Sequence, residues 1–326
     1  MDLIILGSAA ATPTKERNLS SIVIKFRSKL FLFDCGEDFQ RRFAEANLKF
    51  NKPLKIFITH FHGDHIIGLP GFLFRLSLNV RTAPMVIYGP RNLFLYLHFH
   101  RKILGLKAQY SIKIIEIDHQ NQELIEYDGL DSDIPTITRK MSSDIILNSK
   151  YYTIRYASVD HSVITYAYAF IEKYRYGKFN PERAKELGIP ESYLRKKLLE
   201  GLPVEYNGRI INPIEEGIVE PKKPGRKITY SGDLKPCDSL IELGKDSDIL
   251  IHEATFAKAL ADTAIDKKHS TSIDAASDAK RMNAKRLILT HISSRYQEDA
   301  QILLEEAKEI FPNTLLAKDL LKITLK

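Results

Sequence analysis

Lys55-Ile-Phe-Ile-Thr-His60-Phe-His62-Gly-Asp64-His65 decides how the rest of this chain is read. An apolar, β-branched run ends in a turn carrying three histidines and an aspartate, and helix-like periodicity follows from His65 to Leu78. Imidazole and carboxylate are good ligands for zinc and similar borderline cations. In such a turn His60 and His62 can face the same way while Asp64 and His65 aim at a neighbouring position. With 10 histidines among 326 residues, three His and one Asp in this register arise by chance in about one chain in two thousand, taking Asp at roughly 6%. One ion takes about four ligands, so the cluster must recruit others from elsewhere in the chain.

On both sides of this segment, short β-rich runs alternate with helical patterns. Strands are predicted at Leu3–Leu6, Ser21–Phe26, Leu30–Asp34, Leu54–Thr59, Met85–Tyr88, Ile112–Ile117, Tyr151–Ala157, Thr165–Ile171, Ile228–Tyr230, Ile249–Ile251, Leu287–Thr290 and Leu315–Ala317. Helices are predicted at Glu37–Ala46, His65–Leu78, Leu93–Leu104, Ser272–Met282 and Gln297–Phe311; in the last, Ile302, Leu303, Ala307 and Ile310 recur at the spacing of one helix face. Many strands mixed with helices exclude a bundle and argue for a layered α/β sandwich. Two segments break the pattern. Asp128–Lys150 is polar and resists assignment. Residues 172–227 read as a helical insertion, in which PERAKELG (181–188) and PESYLRKKLLEG (190–201) each suggest a helix begun by proline and closed near glycine. That insertion holds 13 Lys+Arg against 9 Asp+Glu, so more than half of the chain's net +7 lies in it, although a solvated charged hairpin would show the same surplus.

Composition narrows the classes further. No window approaches the roughly 20 apolar residues that cross a bilayer. The first residues lack the basic-then-apolar order of a signal peptide and read better as a strand. Two cysteines, Cys35 and Cys237, give neither a disulfide framework nor a cysteine zinc cage, so a reducing cytoplasm is expected. The basic surplus attracts polyanions, but alone it is weak evidence of nucleic acid.

Three later residues at the ends of strand-like runs are candidates. His161 opens HSVITYAYAF after a β run, Asp233 sits in Tyr-Ser-Gly-Asp at a strand end, and His291 closes RLILTH. Singly, each has an ordinary explanation as a turn or capping residue. Together, in order and beside His60–His65, the pattern resembles the metallo-β-lactamase superfamily. That resemblance implies an α/β fold, an αββα four-layer sandwich with a protruding helical arm. It also implies a single domain over 1–326 with the arm at 172–227. It further implies two zinc ions per subunit: one held by His60, His62 and His161, the other by Asp64, His65 and His291, with Asp233 bridging.

Further motifs resemble ribonuclease Z within that superfamily: Pro13-Thr-Lys15-Glu-Arg17-Asn18, Phe33-Asp34-Cys35-Gly36-Glu37 with Gln40-Arg41, His252-Glu253-Ala254-Thr255, His269-Ser270-Thr271 and Thr290-His291-Ile-Ser-Ser-Arg295-Tyr296. The resemblance covers nearly the whole chain. It implies a zinc-dependent endoribonuclease that cleaves the 3′ trailer from precursor tRNA by metal-activated hydroxide attack, leaving a 3′-OH on the tRNA and a 5′-phosphate on the trailer. Asp64 would accept the proton, and His269, oriented by Glu253, would protonate the departing oxygen. Lys15, Arg17 and Asn18 would meet phosphates or the tRNA 3′ end, and Arg195, Lys196 and Lys197 of the arm would grip the tRNA body. A cytoplasmic homodimer is implied, each arm serving the other subunit's site, with no membrane partner.

Departures from the family lie at Pro190-Glu-Ser-Tyr-Leu, where relatives carry a Gly/Pro-rich stretch, at Leu234-Lys235 after the bridging aspartate, and in the long Asp128–Lys150 segment. His98, His100 and His119 match no motif and read as packing or surface residues. Three other readings compete: a metal-dependent hydrolase of the same fold with a substrate unrelated to tRNA, a catalytically silent RNA-binding subunit, and a structural zinc protein. The basic arm and the Lys15–Asn18 loop argue against the first, and the full ligand set against the second. Two open sites argue against the third.

Overall fold

Strands of this chain are apolar on both faces, and the computed structural model shows why. Leu30 and Leu32 pack into a cluster with Phe39, Phe43, Leu69, Phe72, Leu93 and Leu97 from helices. Between them, Phe31 and Phe33 turn the other way and meet Phe170, Tyr168 and Tyr230 of a second sheet at ring-centroid distances of 5.0, 6.1 and 6.3 Å. Side chains alternate across a strand, so a strand covered on both sides needs a continuous apolar run.

The structure describes residues 1–174 and 177–325; Arg175 and Tyr176 of the expected insertion, and Lys326, lie outside the described residues. The larger sheet runs, edge to edge, Lys322–Thr324, Asp2–Gly7, Ser21–Phe26, Lys29–Phe33, Leu54–Phe57, Met85–Pro90, Ile112–Asp118, Glu123–Asp128 and Ile137–Lys140. The second runs Ile145–Asn148, Tyr152–Val159, Thr165–Glu172, Lys227–Tyr230, Ile249–Glu253, Leu287–Thr290 and Thr314–Leu316. Helices Phe39–Glu45, Gly68–Leu78 and Leu93–Leu104 cover the first sheet. Ser272–Arg281 and Gln301–Ile310 pack on the second. The order of layers is helix, sheet, sheet, helix: the αββα sandwich of the metallo-β-lactamase fold.

The expected strands are all present, with bounds shifted by at most two residues. Other elements differ. The helix expected from His65 to Leu78 is two pieces, Gly63–Ile66 and Gly68–Leu78, and the last long helix starts at Gln301 after a 3-10 turn at Ser294–Tyr296. Helices Asp238–Gly244 and Ala261–Lys267 escaped the periodicity reading because each is only 7 residues long. Asp128–Lys150 is no featureless loop: it contributes an edge strand to each sheet, Ile137–Lys140 to one and Ile145–Asn148 to the other. Edge strands are half-solvated and need no apolar face, which is why the segment reads as polar.

The chain divides into two compact units, the second comprising Asn148–Thr153 and Ile171–Lys227. This second unit has its own apolar cluster of Ala184, Ile189, Leu198, Val204, Ile211, Ile218 and Val219. Its helix Pro181–Glu186 is capped by Asn180 and has proline in the first turn, as the sequence suggested. The second helix, Tyr193–Leu199, starts at a Ser192 cap, leaving Pro190 outside. A hairpin, Val204–Tyr206 with Arg209–Ile211, completes the unit, so the insertion is not purely helical. Asn207 and Gly208 both take positive φ, 50° and 73°, as a two-residue hairpin turn requires.

Candidate metal centre

Where strands of the two sheets end, side chains converge. His60, His62, Asp64 and His65 follow Leu54–Phe57; His161 follows Tyr152–Val159, Asp233 follows Lys227–Tyr230 and His291 follows Leu287–Thr290. The carboxyl ends of strands are where α/β sheets gather ligand-binding groups. Close backbone contact fixes the histidine turn. A Cβ on Gly36 would lie 2.7 Å from the Asp64 carbonyl oxygen, and one on Gly68 2.2 Å from that of Gly36. Only glycine lets these segments touch, and the Cys35 N–H then donates to the His65 carbonyl at 2.7 Å.

The seven side chains form two groups sharing one member. Donor atoms of His60, His62, His161 and Asp233 all lie within 4.8 Å of one another, as do those of Asp64, His65, Asp233 and His291. Asp233 Oδ2 stands 3.3 Å from His65 Nε2, 3.2 Å from His291 Nε2 and 3.7 Å from His60 Nε2. His62 Nδ1 is 3.2 Å from His161 Nε2, and His291 Nε2 is 3.2 Å from Asp64 Oδ2. His62 and Asp64 are half-buried; the other five are buried.

A cation in each group fits these residues. His60 Nε2 and Asp233 Oδ1 are buried and have no hydrogen-bond partner among the described residues. Such orphans are costly unless something charged meets them. The ring nitrogens that turn away from the centre are braced instead: His60 Nδ1 by the Thr59 hydroxyl at 2.9 Å, His65 Nδ1 by Asp34 Oδ2 at 2.8 Å, His161 Nδ1 by the Lys268 carbonyl at 2.8 Å and His291 Nδ1 by the Thr255 hydroxyl at 2.8 Å. Outer partners of this kind fix the tautomer and orientation of metal-binding imidazoles. Burial, reinforced by the charge of His65, pushes the His60 pKa well below its usual value. Burial also opposes charge on His65, but Asp233 and Asp34 overcome it and hold that pKa well above the usual value. Protons and cations therefore compete for the same nitrogens.

Beside the second group lies an acid–base pair. His269 Nδ1 is 2.9 Å from Glu253 Oε1, and the buried Glu253 also accepts from the Leu234 N–H at 2.8 Å and the Thr255 hydroxyl at 2.6 Å. Burial disfavours the His269 imidazolium, yet the Glu253 carboxylate overrides it and raises the pKa to about 9. His269 thus holds a proton at the edge of the centre. A cleft of about 240 Å³ opens there, and Phe256, Lys267 and Arg295 line it with His62, Asp64 and His291. The Arg295 guanidinium lies 5.0 Å from the Phe256 ring centroid.

The residues expected to meet RNA are placed unevenly. Lys15 is exposed, but Arg17 turns inward onto Ser8 Oγ and the Ala317 carbonyl at 2.7 and 2.6 Å, and Asn18 is buried. Arg195 turns back onto the Ile189 carbonyl and Glu191 at 2.9 and 3.0 Å. Lys196 and Lys197 are exposed, the latter 5.5 Å from the Tyr193 ring. The unmatched histidines have ordinary partners, His98 on the Leu130 carbonyl and His100 on that of Tyr96, both at 2.8 Å, and His119 on the Tyr166 hydroxyl at 3.0 Å. Of the bracing residues, Asp34 and Thr255 entered the sequence reading only as motif members, Thr59 only within the histidine segment and Lys268 not at all, and none was given a supporting role. Their one visible signal is a polar residue closing an apolar strand or flanking a ligand.

Comparison with known proteins follows the same outline. A family model described as anti-Pycsar protein Apyc1 matches residues 1–122. The chain is 39% identical over 320 residues to a ribonuclease Z of Archaeoglobus fulgidus, covering 98% of this chain and 95% of that protein. It is 36% identical over 326 residues to one of Nitrosopumilus maritimus, covering all of both. Among solved structures, the short form of human tRNase Z matches at TM-score 0.67 and 24% identity, with full coverage of both chains. YhfI of Bacillus subtilis, a metallo-β-lactamase fold protein, matches at TM-score 0.62 and 18% identity, over 99% and 98% of the two chains.

Proposed function

The chain belongs to the ribonuclease Z family, and from that premise we propose that it removes the 3′ trailer of precursor tRNA with two zinc ions held by the seven converging side chains. It is a hydrolytic endoribonuclease of the metallo-β-lactamase fold. His60, His62 and His161 would hold one ion, Asp64, His65 and His291 the other, and Asp233 both. Bound there, a pair of cations supplies a lowered water pKa and neutralises phosphoryl charge. The protein's own groups do the rest. Asp64 orients the attacking water and accepts its proton. His269, held by Glu253, gives a proton to the departing 3′ oxygen, leaving a 3′-OH on the tRNA and a 5′-phosphate on the trailer. Exposed Lys15 and, on the second unit, Lys196 and Lys197 would meet phosphate as point charges. A homodimer in the cytoplasm suits this reading. Among the described residues no helix is long and apolar enough to cross a membrane.

The observation that carries the proposal is the Glu253–His269 pair standing beside the shared-carboxylate cluster, since a structural zinc site needs no proton donor at its edge. Incubating purified protein with an end-labelled precursor tRNA, with and without chelator, tests it. A trailer with a 5′-phosphate, released only without chelator, is expected. Hydrolysis of a small phosphodiester with the precursor left intact would replace tRNA with another substrate.

A further inference from the structure

The loop that opens toward the centre touches it through backbone, and its arginine faces the other way. The Ala11 N–H donates to Asp64 Oδ2 at 2.7 Å. To do so Ala11 adopts φ 59°, a left-handed conformation that alanine keeps only where its surroundings hold it. Those surroundings are visible. Ala9–Ala10 pairs in parallel with Ile292–Ser293, the residues just after His291. The Asn18 carbonyl accepts from both Ser8 and Ala9 N–H groups at 2.9 and 2.8 Å, closing the loop at its base. That base is pinned from the far end of the chain. Asp319 accepts from Ser8 Oγ at 2.9 Å and from the Asn18 N–H at 2.7 Å, and its side chain is only 5% exposed. Arg17 completes the clasp, donating to Ser8 Oγ and to the Ala317 carbonyl.

We propose that Arg17 is a positioning residue: with Asp319 it locks the base of the 11–18 loop so that the Ala11 amide stays on Asp64, and it makes no contact with RNA. The inference rests on the role given above to Asp64 but not on tRNA being the substrate. Both hydrogens of Arg17 Nη1 go to Ser8 and Ala317, which fixes the half-buried side chain against the fold, whereas Lys15, at the exposed tip of the same loop, is unencumbered by the clasp. One loop thus divides its work, its tip facing solvent and its base setting the carboxylate.

Two variants separate this from a phosphate contact. Arg17→Ala removes a cation, and Asp319→Asn removes an anion while retaining the shape, so their effects on RNA binding by charge alone are opposite in sign. Three measurements apply to both: exchange of the Ala11 amide in the metal-free protein, equilibrium binding of precursor tRNA to that protein across salt concentrations, and turnover of bis(p-nitrophenyl) phosphate by the zinc-loaded protein. The clasp predicts faster Ala11 exchange in both variants and small-diester kcat lower by about 10- to 100-fold in both, with KM little changed. RNA affinity and its salt dependence stay as in the parent. A phosphate contact predicts weaker RNA binding for Arg17→Ala, with a salt slope smaller by about one, and small-diester turnover intact; that result overturns the proposal. Unchanged Ala11 exchange in Asp319→Asn overturns it too. Because a small diester and an amide proton are read, failure of the tRNA assignment would show separately, as absent precursor cleavage by the parent protein.

Discussion

The two halves of the candidate metal centre differ in donors, three imidazoles against two imidazoles and the Asp64 carboxylate besides the shared Asp233, and they differ in support. His60 leans on Asp34 only indirectly, through the Thr59 hydroxyl that donates to that carboxylate, His161 leans on the neutral Lys268 carbonyl, and their companion His62 is half-buried. On the other side His65 leans on the carboxylate of Asp34, itself fully buried and anchored by the Tyr230 hydroxyl at 2.8 Å and the Thr59 N–H at 2.8 Å. Asp64 is held by the Ala11 amide and His291 by Thr255. A carboxylate behind an imidazole raises its basicity and fixes its ring, so the His65 half should hold its cation more firmly.

Removing the shared residue has the largest expected effect. Asp233→Ala takes a donor from both halves at once; elemental analysis of the purified variant should find both cations lost and precursor cleavage below detection. One ion retained at full affinity would mean the carboxylate is not shared. Next comes His269→Ala, which lies outside both halves. Metal content should persist while single-turnover cleavage falls by about 10²- to 10⁴-fold, the usual worth of a positioned proton donor. Loss of metal along with turnover would make His269 a ligand of the His291 half instead.

Asp34→Asn probes the difference in support itself. Competition with a chromophoric chelator should show the tighter ion weakened by about 10- to 100-fold and the looser one, which Asp34 reaches only through Thr59, weakened less. Equal weakening of both would erase the distinction. The smallest effect is on the parent protein: gradual chelation should release the ions in two steps, the His60–His62–His161 ion first. A single step would mean that the supports are energetically equivalent.

What was legible in the sequence follows the same division. His60 to His65 could be read because the spacing is local, a strand end and one turn. His161, Asp233 and His291 are ordinary turn residues one at a time and gained meaning through resemblance to a known pattern. Asp34 could not be read as a support at all. Its partner Tyr230 lies 196 residues away and meets it only once the two sheets face each other. Arg17 and Asn18 are the opposite case. Their motif was recognised, but a motif does not say which way a side chain turns, and Arg17 turns toward Ala317, 300 residues along the chain. The layered fold was plain from alternating apolar runs, whereas short helices such as Ala261–Lys267 and the wet edge strand Ile137–Lys140 carry too little periodicity to be seen.

One measurement bears on the centre most directly: anomalous diffraction at the zinc edge from crystals of the zinc-loaded protein. Two peaks, one among His60, His62 and His161 and one among Asp64, His65 and His291, with the Asp233 carboxylate touching both, is the expected result. A lone peak away from these side chains, or none at full zinc occupancy in solution, would contradict it.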